Sequence, residues 1–219
     1  MSERKEKEES ADKIIVAALR LFAKKGYKNT SLEEVAKMVG FTKGAIYYHF
    51  KSKELLLLRV LQDIQKRSID ETIAVVNAST GTPTEQLRSF VKRQANWAAQ
   101  FPDDLAIVML MSIESANHKS MIRTQILSFY KKISALLERI IVAGKRTGEF
   151  TNDQKTADIV QYLIAIHDGN MLLWYRSGTR PDIGRMLTLA SLAGFEHAAI
   201  GHMKLPHLDV RHRAARAEG

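Results

Sequence analysis

The sequence predicts an all-α chain in two parts: an N-terminal three-helix helix-turn-helix unit over residues 10–55 and a C-terminal helical part over residues 56–205. Three observations carry this. Apolar residues recur at three- and four-residue spacing along most of the chain, and no stretch shows the alternation that a half-buried strand requires. Ser and Thr stand just ahead of several of these periodic stretches, where helix N-caps belong. Near the amino end, Gly40 separates two short periodic segments by a single tight turn. Residues 1–9 and 206–219 read as disordered tails.

Each element follows from its own residues. Ile14, Ala18, Leu21 and Phe22 share one face of a first helix from about Ser10 to Lys25, ended by Gly26. Ser31 and Glu34 form a Ser-x-x-Glu capping box for a second helix, whose inner face is Val35, Ala36 and Val39. Gly40 tolerates the left-handed backbone that terminates helices, and Phe41 plugs the corner. Thr42 caps a third short helix in which Ile46 and Phe50 face inward. Ser52, with Glu54 in the first turn, opens a long helix to about Val76 that joins the two parts. Beyond the turn at 78–83, Thr82 or Thr84 caps a helix that runs to about Phe101, before Pro102. Asp103 begins an apolar helix to about Asn117, and Ser120 begins another that Gly148 stops. The last two helices span about Asp153–Arg176 and Asp182–His202.

The third helix has the chemistry of a DNA reader. Lys43 at its start can donate to a guanine edge, while Gly44 and Ala45 let the backbone approach. Tyr47 and His49 can hydrogen-bond phosphate, and Tyr48 can pack on a thymine methyl or a sugar. Adjacent helical positions diverge by about 100°, so Tyr47 and Tyr48 cannot both be core. The expected DNA-contacting set is Thr30, Ser31, Thr42, Lys43, Gly44, Ala45, Tyr47, Tyr48, His49 and Lys53.

The run from Gly40 to Leu56, GFTKGAIYYHFKSKELL, resembles the DNA-binding signature of the TetR (tetracycline-repressor) family; Phe22, Gly26, Tyr27, Thr30, Ser31, Val35 and Ala36 match its first two helices. The resemblance covers roughly residues 13–58. It implies a homodimer built on a four-helix interface, with a small-molecule effector domain behind the DNA reader.

Composition bounds the alternatives. The chain has 219 residues and no cysteine, so disulfides, thiolate metal sites and cysteine nucleophiles are excluded. Residues 10–60 carry ten Lys/Arg against four Asp/Glu, whereas residues 61–203 carry sixteen against fourteen. The basic excess therefore lies on the helix-turn-helix, where phosphates need neutralising. The first ten residues, MSERKEKEES, lack the apolar core of a secretory signal, and Leu105 to Met111 is too short to span a bilayer. A cytoplasmic, non-membrane protein is expected. The Gly-x-x-x-x-Gly-Lys, Gly-x-Ser-x-Gly and His-Glu-x-x-His patterns are absent, so no enzyme is expected. His197, His202, His207 and His212 recur every five residues, a spacing that does not place the set on one helical face and that Pro206 interrupts; neither a metal nor another cofactor is expected.

The final two helices are the candidates for self-association, through Leu163 and Ile166 on one and Leu187, Ala190, Gly194 and Ala198 on the other. Ala190, Gly194 and Ala198 form a small-residue ridge, although an ordinary intrachain pair accounts for the periodicity equally well. A two-fold pair doubles the contacts of a short reader across a palindrome. For an effector, the expected contacts are Trp97, Met111, Glu114, His118, Tyr130, His167, Asn170, Met171 and Trp174: large adaptable apolar groups interrupted by polar ones. Plain core packing is the simpler reading of each apolar member. An acyl-thioester ligand would further need cations for its phosphates, for which Arg123, Lys131, Lys132, Arg176 and Arg180 are available.

The expectation is a ligand-responsive, homodimeric DNA-binding regulator, most simply a repressor that a mostly apolar small molecule releases from a palindromic operator. A nucleoid-type protein without sequence preference, or an activator on the same scaffold, is the alternative.

Overall fold

A computed structural model describes residues 2–201, with side chains from residue 5 onward. Its described residues form helices without strands. These are α1 (Ser2–Lys25), α2 (Leu32–Val39), α3 (Lys43–His49), α4 (Lys53–Gln65), a π-helical turn (Lys66–Asp70), α5 (Glu71–Ala78), α6 (Pro83–Gln100), α7 (Pro102–Glu114), α8 (Met121–Thr147), α9 (Thr156–Arg176) and α10 (Pro181–Ile200). The expected tail at 206–219 lies outside the described residues. The tail expected at 1–9 is helical from Ser2, an N-terminal extension of α1 rather than a disordered strand of chain.

Local chemistry sets the ends. The Ser31 hydroxyl accepts from the Glu34 N–H, and the Glu34 carboxylate accepts from the Ser31 N–H at 2.8 Å, closing the capping box. Gly40 ends α2 at φ 73°, a conformation that costs a residue with a Cβ about 1–2 kcal/mol. Thr42, Ser52, Thr82 and Ser120 cap α3, α4, α6 and α8 through their hydroxyls.

One continuous apolar core positions everything else. Ile14, Ala18 and Phe22 of α1 pack with Val35 of α2, Ile46 of α3 and Leu56 of α4, all fully buried or nearly so. Behind them Leu87 and Phe90 of α6, Ile107 of α7, Leu137 and Ile140 of α8, Leu163 of α9 and Phe195 of α10 fill the larger part. The linking helix deviates from expectation at Lys66–Asp70, where it widens into a π-turn. Hydroxyls reinforce the distortion: Ser68 Oγ donates to the Ile64 carbonyl at 2.7 Å, and Thr72 Oγ1 to the Ser68 carbonyl at 2.9 Å. Three other helices tether it. Gln94 of α6 donates to Thr72 Oγ1, Arg67 forks onto Asp104 of α7, and Lys132 of α8 pairs with Asp70 at 2.6 Å.

Candidate nucleic-acid interface and internal cleft

The outward face of α3 is basic and aromatic. Ile46 is completely buried and anchors the helix, which leaves Tyr47 and Tyr48 exposed at 39% and 62%. Both tyrosines are therefore presented outward. Thr42, Lys43 and Gly44 are exposed beside them, with Ala45 half-buried. The Lys43 ammonium pairs with Glu33 of α2, which raises its pKa, and lies 5.8 Å from the Tyr47 ring centroid. A DNA base or phosphate would have to displace Glu33 from it. His49 is half-buried and held below its ordinary pKa by burial and by Lys7, so it is neutral and donates from one nitrogen. Lys7, in the unexpected extension of α1, lies 4.7 Å from the Tyr48 ring centroid and brings a further cation to this face. Sequence periodicity gave no signal for it.

Three expected contacts have internal roles. Thr30 is 2% exposed, and its hydroxyl donates to the carbonyls of Leu21 and Gly26. Lys53 donates to the carbonyls of Tyr27, Lys28 and Thr30 and stacks over Tyr27, so its ammonium ties the α1–α2 loop to the start of α4. Ser31 is engaged in its cap. These groups shape the unit that presents α3.

A half-open cleft of about 650 Å³ lies between α6, the start of α7, α9 and α10. Of the expected effector residues it collects His167, Asn170, Met171 and Trp174. The other five are elsewhere. Trp97 and Met111 are core, Glu114 is half-buried at the end of α7, and His118 is exposed in the following loop. The Tyr130 hydroxyl meets the Asp168 carboxyl outside the cleft, and burial pushes both groups up, Asp168 to about 6. None of the cations expected for thioester phosphates lines the cleft; Lys132 pairs with Asp70, and Arg180 with Asp182. The cations that do line it are Lys92 and Arg185, which sequence reading missed. Lys92 has no acidic residue three or four positions away to neutralise it, a signal that was available.

The cleft wall is built tightly. Trp174 donates from Nε1 to the Arg180 carbonyl at 3.1 Å and lies against Gly184, where an added Cβ would come within 2.9 Å of that nitrogen. The close approach requires glycine. Asn170 donates to Ser191 Oγ at 2.7 Å. His167 is buried against Phe90, and burial holds it down to about 4, so it is uncharged at neutral pH.

The self-association residues also divide. Leu163, Leu187 and Ala198 are 0%, 7% and 4% exposed within one chain and belong to its core, and Ile166 reaches toward Gly194. Residues four apart on a helix advance by about 40°, so the Ala190–Gly194–Ala198 ridge rolls from the surface into the interior. Only Ala190 stays outward. The apolar residues actually exposed on α9 and α10 include Leu172, Leu173, Met186, Leu189 and Ile200.

Among the described residues no helix is long and apolar enough to cross a membrane, and no cluster of potential metal ligands occurs. Comparison with known proteins matches residues 14–60 to the model of bacterial regulatory proteins of the tetR family, and residues 80–194 to the tetracyclin repressor-like C-terminal domain. The uncharacterized HTH-type transcriptional regulator YerO of Bacillus subtilis is 38% identical over 95 residues, 43% of this chain but only 31% of YerO. The HTH-type transcriptional repressor DhaR of Mycobacterium is 22% identical over 80% of this chain and 87% of its own. The fold is shared with the regulator FadR from Bacillus subtilis, solved in complex with stearoyl-CoA, at TM-score 0.71 and 21% identity over 86% of this chain and 97% of that one. With its reading helix exposed and both halves matched, the chain belongs to the TetR family of DNA-binding transcriptional regulators.

Proposed function

We propose that this chain works in the cytoplasm as a homodimeric repressor, released from a palindromic operator when a mostly apolar small molecule enters the cleft. Residues 10–55 form its DNA-binding part and residues 56–205 its effector and dimerisation part. The observation that carries the reading is the exposed Lys43–Tyr47–Tyr48 face of α3, anchored from below by a fully buried Ile46. A surface presenting two aromatic rings beside several cations suits phosphate and base edges and has no internal packing role.

The exposed Leu172 and Leu173 of α9 and Met186 and Leu189 of α10 support dimerisation through these two helices. Two α3 helices related by a two-fold axis would then reach successive major grooves. DhaR, named as a repressor, supports that polarity, and the stearoyl-CoA held by FadR supports an effector with a long apolar portion. Release requires the ligand to bind more tightly to a dimer whose reading helices are wrongly spaced. The π-turn lies along the chain between α3 and the cleft walls, and its tethers to α7 and α8, with that of the following Thr72 to α6, suit it to carry that change.

Electrophoretic mobility shifts with DNA from around its own gene test this. The wild type is expected to bind a specific fragment in preference to random DNA, with affinity falling steeply in salt. Tyr48→Ala should lose that binding while keeping its dimer mass and helical circular dichroism. Equal affinity for random DNA would favour the nucleoid-type alternative.

A further inference from the structure

The lining of the cleft is unbalanced in charge. Lys92 projects from α6 and Arg185 from α10, while no Asp or Glu is among the lining residues. Neither cation takes part in an ion pair among the described residues, although Arg88 on α6 and Arg180 just ahead of α10 both do. Both are exposed, which places them at the mouth. Deeper in, the walls are apolar: Val91, Ala95, Met171, Trp174, Leu187 and Leu192. One polar group stands out there. His167 is 7% exposed and lines the cleft, and none of the hydrogen bonds among the described residues engages its ring. Asn170, by contrast, is satisfied by Ser191.

Taking the cleft as the effector site, we infer that it takes an amphipathic anion, whose carboxylate or phosphate head lies between Lys92 and Arg185 at the mouth and whose apolar body runs inward to His167. Each part of the ligand follows from a part of the wall. A cationic ligand would meet two like charges with no carboxylate to answer it. A fully neutral one would leave both cations unused. A carboxylate at the mouth keeps partial hydration, whereas one driven to the inner end would be desolvated against a neutral imidazole. The inner end instead favours a single uncharged hydrogen-bonding group for the His167 ring, such as a hydroxyl or carbonyl. The same anionic head on an apolar tail arises from a free acid or from a coenzyme A thioester, whose phosphates would meet the same two cations.

Isothermal titration and tryptophan fluorescence on the full chain distinguish these. The probes are decanoate, decanol, decyltrimethylammonium and decanoyl-CoA, with 10-hydroxydecanoate to test the inner end. Decanoate should bind at least about tenfold more tightly than decanol, with the ammonium weakest. The double variant Lys92→Gln/Arg185→Gln should lose about tenfold or more for decanoate and nothing for decanol. 10-Hydroxydecanoate should bind more tightly than decanoate, an advantage that His167→Leu removes. Tighter binding of decanoyl-CoA than of decanoate, lost in the double variant, identifies the thioester as the source; weaker binding identifies the free acid. The inference is overturned if decanol or the ammonium matches decanoate, if the double variant binds decanoate unchanged, or if no probe binds below about 1 mM. Mobility shifts on the same samples separate this from the regulatory reading. Charge-dependent decanoate binding by a chain that never holds DNA sinks the regulator and keeps the ligand class; DNA release by uncharged compounds alone does the reverse.

Discussion

Arg67 and Asp104 form the most exposing test of how the π-turn is held. Asp104 is 1% exposed and receives two guanidinium hydrogen bonds, the Nη2–Oδ1 one at 2.6 Å. Arg67→Met keeps most of the apolar stem but strands a buried carboxylate, which typically costs about 3–5 kcal/mol. Because Arg67 itself is 29% exposed, the lower end, roughly 3 kcal/mol, is the expectation. At a urea slope of about 2–3 kcal/mol/M that is a midpoint drop of roughly 1–1.5 M, measured at fixed protein concentration. Arg67→Met/Asp104→Leu removes the stranded charge and should return to within about 1 kcal/mol of the wild type. Asp104 lies in the same first turn of α7 as Pro102, a cleft-lining residue, so the single variant should also weaken ligand-driven release from DNA. A single variant costing under about 1 kcal/mol, or a double variant no more stable than the single, would refute the reasoning.

Further tests follow from the titrating and basic side chains. Burial raises Asp168 from 3.8 to about 6, so its contribution is present below pH 3.8 and lost as pH rises through 6. Burial lowers His167 from 6.5 to about 4, so its contribution is present above pH 6.5 and lost as pH falls through 4. The two slopes oppose each other between pH 4 and 6, and urea midpoints of the wild type should be nearly flat in that window. Asp168→Asn should unmask stability that rises with pH and His167→Gln stability that falls, each by about 1–3 kcal/mol; slopes that do not separate would refute the assignment. Lys53→Met should lower both stability, by about 1–3 kcal/mol, and DNA affinity, because three carbonyls lose their donor. Lys43→Ala should leave the melting temperature unchanged and relax sequence preference in a binding-site selection; unaltered preference would remove Lys43 from the base-reading set.

What could be read from the sequence was whatever local chemistry decides. Ser31 with Glu34, Thr42, Ser52 and Gly40 fix their helix ends through neighbours four or fewer positions away, and each lies where the residues implied. The π-turn could not be read this way. Lys66-Arg67-Ser68-Ile69-Asp70 has ordinary helical periodicity, and the turn's side-chain tethers come from α7 and α8, distant in sequence. The scatter of the expected effector residues has a related cause. Periodicity shows that Trp97 and His167 each occupy an inner helical face, but not that the helices part around His167 and close around Trp97. Lys53 illustrates the limit for charge: a cation beside the reader looked like a phosphate contact until the loop carbonyls were brought to it.

The most direct test is selection by this chain on a random-sequence DNA library, followed by sequencing of the bound pool. An enriched inverted repeat whose half-sites are centred about one helical turn apart, lost in the Tyr48→Ala variant, is expected. A pool that stays random, or one that Tyr48→Ala enriches equally well, would contradict that expectation.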